Sequence, residues 1–469
     1  MELNASDIAK IVESVVRKMN ENPQSRSTGR YPLGIFETLD EAVEEAHRAQ
    51  KKIRNLELRK NIIDALRKAA VEHSRELAEL AVQETGMGRI EDKYNKNILQ
   101  AYATPGIEVL DPQAVSGDHG LTLIENAPWG VIASVTPSTN PAATVINNSI
   151  SMIAAGNAIV FSPHPAAKKT SQRAITILNE AVVKVGGPSN LMVCVAEPSI
   201  EVAQTLFKYP GINLLVVTGG DAVIHAARKI TDKRLIAAGA GNPPAVVDET
   251  ADIPHAARSL VFGASFDNNI ICVDEKEIIV VDKVADQLKS EMKKNNAFEL
   301  SASQAEELAK VILINYPGPN PEINRKFVGR NAKLFADAIG LNVPEETKLL
   351  FVETDKNHPF AQIELMMPVI SVVRARNADE AIDLGIELEH GLKHTASMYS
   401  KNIDNLHRMA SEVNTSIFVK NGPNLAGLGY GGEGWTTMTI STPTGEGVTN
   451  AKSFVRLRRC ALVDHFRII

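Results

Sequence analysis

The stretch GVIASVTPSTNPAATVINNSISMIAAGNAIVFSPHP, residues 130–165, decides the fold. GVIASV and AIVF are short apolar runs bounded by Gly, Pro, Ser and Asn, the pattern of strands buried on both faces, and residues 142–155 between them have helical length. The alternation continues outward through a helical stretch at 167–185, the runs LMVCV and INLLVV, and a helical stretch at 222–230. Strands alternating with helices imply a parallel sheet with right-handed crossovers. In open sheets of this kind ligands sit beyond the carboxyl ends of the strands, which singles out residues 136–141, 162–165 and 218–221.

Further outward, residues 36–85 read as helices ending at the breaker run TGMG. A second alternating region follows, with a helix near 253–262, the strands EIIVV, KLLFV, VISVV and SIFVK, and a helix over 378–388; this is a second α/β unit. The tail from Gly429 is rich in Gly and Thr and then basic, RLRR at 456–459, and is expected to be an arm that crosses to a neighbouring subunit. At the other end, Ile8, Ile11, Val12, Val15, Val16 and Met19 recur at helical spacing behind Ser6 as N-cap. The polar stretch 20–30 should tether that helix, which either packs on its own oligomer or docks on another protein.

At 469 residues the chain holds two to four structural units. With 44% hydrophobic and 23% charged residues it has the composition of a folded globular protein. A net charge of −6 gives no general attraction to nucleic acid or anionic membrane. The most apolar stretch, 142–161, is broken by Asn147, Asn148 and Asn157, so no membrane span is expected, and the N-terminus resembles neither a secretory signal nor a transit peptide. Three scattered cysteines, Cys194, Cys272 and Cys460, argue against a disulfide framework or a zinc cluster and favour a reducing cytosol.

Cys272, in GASFDNNIIC, falls in a connecting stretch where catalytic groups are often presented, but position alone leaves an inert buried thiol open. Cys194 lies within an apolar strand and reads as core; Cys460 reads as structural. The turn TGGD, residues 218–221, offers backbone N–H groups at a helix start, where a phosphate or simple packing would explain the glycines. His390 and His394 lack the HExxH pattern, and no metal site is expected.

Six ordered segments, ENAPWGVIASVTPSTNP (125–141), FSPHPAAKK (161–169), GAGNPPAVVDETAD (239–252), GASFDNNIIC (263–272), SIFVKNGP (416–423) and GGEGWTTMTISTPTGEG (431–447), resemble the aldehyde dehydrogenase superfamily. Within it they resemble the CoA-acylating branch that serves ethanolamine and propanediol breakdown in bacterial microcompartments. The resemblance implies a Rossmann-like parallel-sheet cofactor domain, an α/β catalytic domain and a small oligomerisation arm. It implies oxidation of acetaldehyde or propionaldehyde with NAD and coenzyme A, Cys272 as nucleophile and the Asn140 side chain as oxyanion donor. Asn140 could otherwise cap the helix that Pro141 begins. For the cofactor it implies Thr136 and Pro137, Ser162, Pro163 and His164 beside the adenosine ribose, Thr218, Gly219 and Gly220 beneath the pyrophosphate, and Glu364 on the nicotinamide ribose. In isolation Glu364 would be one more surface acid.

Two departures from the family pattern matter. Hydrolytic members carry a glutamate base in the segment matching AAGAGNPP, yet no acidic residue occurs between Arg234 and Asp248. A thiolate is itself a strong nucleophile, so the missing carboxylate favours thiolysis over hydrolysis. Ser162 stands where a ribose-binding lysine is usual, with NAD still favoured over NADP. The expected layout is a docking helix at 1–19 engaging microcompartment shell or core proteins, a linker at 20–30, an NAD-binding domain at 31–247 with an oligomerisation hairpin near 112–135, a catalytic domain at 248–430 and a C-terminal arm at 431–469. A homodimer or homotetramer in the microcompartment lumen of the cytoplasm is expected. The rivals are a hydrolytic enzyme giving a carboxylic acid and a non-catalytic assembly protein.

Overall fold

The computed structural model describes residues 31–469, so the expected docking helix and linker lie outside the described residues. Two parallel sheets organise the chain. The first runs in the order Ile35–Phe36, Met192–Val195, Ala158–Pro163, Val131–Thr136, Leu214–Thr218, Arg234–Ala238. All its pairings are parallel, and the register sets Thr136 opposite Pro163 and Thr218 opposite Ala238, so the expected ligand-side residues share one carboxyl edge. The strand Val131–Thr136 is central because it is apolar on both faces: Val131, Ile132 and Ala133 are all buried. Pro141 opens the following helix, Pro141–Ala154, and every residue of that helix is buried, Asn147 and Asn148 included.

Those two asparagines explain where the Gly- and Thr-rich tail goes. Asn147 Oδ1 accepts from the Met438 N–H at 3.0 Å and the Thr437 hydroxyl at 3.2 Å, and Asn148 Oδ1 accepts from the Thr439 hydroxyl at 3.1 Å. Buried amides require partners, and the tail supplies them by returning across the second unit to the first.

The second sheet runs Ala297–Glu299, Leu349–Thr354, Val369–Ala375, Glu277–Val281, Pro244–Val247, Thr395–Tyr399, Ile417–Lys420, again all parallel. Its strand Pro244–Val247 corrects the expected boundary at 247/248: the strand pairs with Glu277–Val280 and Ser397–Tyr399, at the heart of the second unit. Four successive apolar positions ahead of Asp248 read equally well with either unit; sheet pairing assigns them.

A third sheet is antiparallel and joins Gln113–Gly117, Gly120–Pro128 and Val455–Val463. The hairpin therefore ends at Pro128 and not near 135. Gly130, at φ +112°, turns the chain into the first sheet. The arm expected to cross to a neighbour pairs with its own hairpin, from Val455 opposite Pro128 to Val463 opposite Gly120. The arm carries exposed Leu457, Leu462 and Val463. Among the described residues no helix is long and apolar enough to cross a membrane.

Candidate active site

Cys272 is presented by a loop whose backbone few residue types tolerate. The helix Ile253–Ser265 ends in Phe266, and Asp267, Asn268 and Asn269 then follow at φ +46°, +58° and +64°. Three consecutive left-handed residues would cost an ordinary side chain roughly 1–2 kcal/mol each, and Asp and Asn adopt this conformation most readily after glycine. Here each side chain also ties the loop down. Asn268 Nδ2 donates to the Gly329 carbonyl and to Asn331 Oδ1, each at 2.9 Å, and Asn269 Nδ2 donates to the carbonyls of Ala264 and Glu275, also at 2.9 Å. The Lys276 ammonium donates to the Asn269 carbonyl at 3.0 Å and to its Oδ1 at 2.7 Å. FDNNIIC is a tied-down turn that delivers a half-buried cysteine, whereas Cys194 is fully buried within its strand and Cys460 lies exposed on the arm.

Asp267 ties this loop to the first unit. Its buried carboxylate accepts from Lys93 Nζ at 3.1 Å, from Lys96 Nζ, and from the Arg89 N–H at 2.8 Å. Both lysines come from the helix Ile90–Ala103 and are 3% exposed. Burial opposes ionisation of Asp267, but Lys93 and Lys96 hold its carboxyl below the usual range. Lys93 pairs onward to the Thr139 carbonyl at 2.9 Å, and Lys96 to Asn140 Oδ1. The side chain of Asn140 makes no capping bond to the helix it precedes. The capping alternative is thus not realised, and Asn140 is held from the side by a lysine instead.

The remaining wall is the segment after the first sheet. A Cβ placed on Gly241 would sit 2.8 Å from the ring of His394 and 2.9 Å from the Cys272 carbonyl oxygen, so only glycine lets this segment pass between them. The Glu364 carboxyl is influenced by the Gly241 backbone and by Asp221, just after Gly220, and its charge is felt by Cys272. It is a half-buried acid within electrostatic reach of the thiol. Burial raises its carboxyl to about 7 against the pull of Lys276. Burial also pushes the Cys272 thiol up to about 12, with Glu364 adding to the rise and Lys276 opposing it. His394 is fully buried with Nε2 unpaired, and burial together with Lys276 holds it down to about 3, a neutral imidazole.

The first sheet's edge fits a dinucleotide. Thr136 Oγ1 is buried without a partner, and Cβ atoms on Gly219 or Gly220 would meet nothing within 4 Å. Gly220 caps the helix Asp221–Ile230 with no side chain of its own, leaving backbone N–H groups for a phosphate. Thr218 is steadied by Thr439 of the returning tail, hydroxyl to hydroxyl at 3.0 Å. Pro137 follows Thr136 into the cleft, the His164 N–H donates to the Thr136 carbonyl at 3.1 Å, and buried Ser162 and Pro163 complete the neighbouring strand. Sequence reading missed Lys93, Lys96 and Asp267, and considered His394 only as a metal ligand. Among the described residues no group of three or more His, Cys, Asp or Glu side chains could hold a metal ion.

A parallel-sheet edge suited to a dinucleotide, facing a cysteine on a fixed loop, defines a two-unit α/β oxidoreductase scaffold. The chain belongs to the aldehyde dehydrogenase family, whose model matches residues 13–307. It is 64% identical over its full length, and that of the relative, to the acetylating acetaldehyde dehydrogenase EutE of Salmonella typhimurium. It is 42% identical, over 99% of this chain and all of the relative, to the CoA-propanoylating propanal dehydrogenase of the same organism. Among solved structures, a propionaldehyde dehydrogenase from the fucose-utilisation bacterial microcompartment of Clostridium phytofermentans superposes with a TM-score of 0.90 at 42% identity, covering 93% of this chain and 100% of that one. The propionaldehyde dehydrogenase of Rhodopseudomonas palustris, solved with bound CoA and an acylated cysteine, gives 0.89 at 46% identity over 92% and 98%.

Proposed function

We propose that Cys272 is the nucleophile of a CoA-acylating aldehyde dehydrogenase acting on acetaldehyde or propionaldehyde inside a bacterial microcompartment. The Cys272 thiolate adds to the aldehyde carbonyl, forming a C–S bond and an oxyanion that the Asn140 amide and the Cys272 N–H stabilise. A bound nicotinamide dinucleotide supplies the hydride acceptor for the step that leaves a thioester on Cys272. Thr136, Pro137, Ser162, Pro163, His164, Thr218, Gly219 and Gly220 hold that dinucleotide, with Glu364 on its nicotinamide ribose. The thiolate of CoA then attacks the thioester carbonyl, releasing acyl-CoA and returning the Cys272 thiolate.

The observation that carries this reading is the placement of Cys272 on a locked left-handed loop that Asp267 and Lys96 tie to Asn140. The segment beside it carries Asn242, not an acid; its amide donates to the carbonyls of Ala361 and Leu388, at 3.2 and 2.9 Å, and the segment itself supplies no carboxylate to activate water. NADH formation from acetaldehyde should therefore require CoA. Equal turnover without CoA would establish the hydrolytic rival. Residues 31–243 form the dinucleotide-binding part, residues 244–430 the catalytic part and residues 431–469 the arm. The N-terminal segment 1–19 serves as the docking peptide for shell or core proteins, and the three-stranded sheet as the oligomer surface of a dimer or tetramer. Chains beginning at Tyr31 should keep activity and lose co-assembly with shell proteins.

A further inference from the structure

The buried cluster of Lys93, Lys96 and Asp267 is placed where a structural ion pair would be an expensive choice. Removing charges from water costs several kcal/mol per ion before pairing recovers it. Two ammonium groups share one carboxylate, and all three side chains are at most 4% exposed. The cluster also touches both halves of the proposed site at once: Asp267 lies five residues ahead of Cys272, and Lys96 reaches Asn140.

The chemistry of the contact fixes its orientation. An ammonium has three donors and no acceptor, so it meets the Asn140 amide only through Oδ1. The amide nitrogen is thereby turned the other way. One of its N–H groups goes to Thr139 Oγ1 at 3.1 Å, which leaves the second for a ligand oxygen. An ammonium on the carbonyl oxygen also draws electron density from the amide and strengthens its N–H as a donor, by the same polarisation that makes chains of hydrogen bonds cooperative. Resting on the reading of Asn140 as oxyanion donor, we infer that Lys96, anchored by Asp267, is a positioning residue that orients and polarises the Asn140 amide for the oxyanion formed at Cys272. Lys93 supports it by fixing the Thr139 carbonyl and sharing Asp267.

A double-mutant cycle on the full-length enzyme tests this, because a residue that acts through another loses its effect when that other is gone. Asn140→Ala should lower kcat/KM for the aldehyde by about 10²–10³-fold, the usual loss for one oxyanion donor. Lys96→Met should lower it by about ten- to a hundredfold with the KM for NAD unchanged. The double variant should fall no further than Asn140→Ala alone, within about threefold. Losses that multiply in the double variant would show Lys96 to be a structural pin and overturn the inference while leaving Asn140 in its role. Full activity of Asn140→Ala would overturn the oxyanion reading itself, a different outcome. If Lys96→Met melts without a cooperative transition, Asp267→Asn, which keeps the shape and removes the anchoring charge, carries the same cycle with the same criteria.

Discussion

The two walls of the cleft are built by different physics. The dinucleotide wall is the edge of an apolar parallel sheet, with small residues at the strand ends and open space where Gly219 and Gly220 lack side chains. The cysteine wall is a left-handed turn flanked by buried ionisable groups: Asp267, Asp274, Glu275, Lys276 and Glu277 are all buried within five residues of Cys272. The first wall is shaped by leaving groups out, the second by burying ionisable groups, with Asp267 paired to Lys93 and Lys96, Lys276 donating to Asn269, and Asp274 and Glu275 accepting the backbone N–H groups of Ile271 and Asn424. Substitutions on the first should change binding, and on the second reactivity and pH response.

The largest effect belongs to Cys272→Ala, which should abolish NADH production while leaving cooperative melting intact, since it removes a single sulfur from a half-buried residue of a turn that other side chains tie down; an active variant would remove the asymmetry between the walls. Gly219→Val should fill the space beneath the pyrophosphate and raise the KM for NAD by about tenfold or more, with kcat much less affected. No change in that KM would mean the turn serves packing only.

Glu275 sharpens the contrast on the stability side. Burial raises its carboxyl to about 7, with the Asn424 N–H opposing the rise. The folded protein therefore keeps a proton that the unfolded chain releases, and stability falls as pH rises from about 4.5 to 7, by about 1.4 kcal/mol per pH unit for this group. Glu275→Gln should flatten that slope in urea titrations between pH 5 and 7; an unaltered slope would place its titration elsewhere. The smallest effect is on thiol reactivity. Carbamidomethylation of Cys272 should rise throughout pH 7–10 without a plateau, because burial and Glu364 push the thiol to about 12. Glu364→Gln should accelerate it several-fold at pH 9, and Cys194, buried in its strand, should stay unlabelled in both proteins.

The difference between the walls also decided what could be read from the sequence. The strand ends at Thr136, Pro163 and Thr218 were legible because apolar runs and turn residues are local signals, and the register places them at one edge. The segment 244–247 pairs within the second sheet, which its sequence does not reveal because a short apolar strand carries no mark of its sheet partners. Lys93 and Lys96, in EDKYNKN, carry no local mark of a site; only the fold brings Asp267 to them from 174 and 171 residues away. One local clue was present: DNN is a run of the residue types that tolerate left-handed backbone, directly ahead of the cysteine. Glu364 shows the same limit, since its value to the site comes from Gly241 and Cys272, both remote in sequence.

Mass spectrometry of full-length enzyme mixed with acetaldehyde and NAD, quenched in the absence of CoA, tests the central claim most directly. An added acetyl mass on the peptide carrying Cys272, disappearing when CoA is supplied, is the predicted result. An acetyl group on Cys460 or any other residue, or no covalent adduct at all, would contradict it.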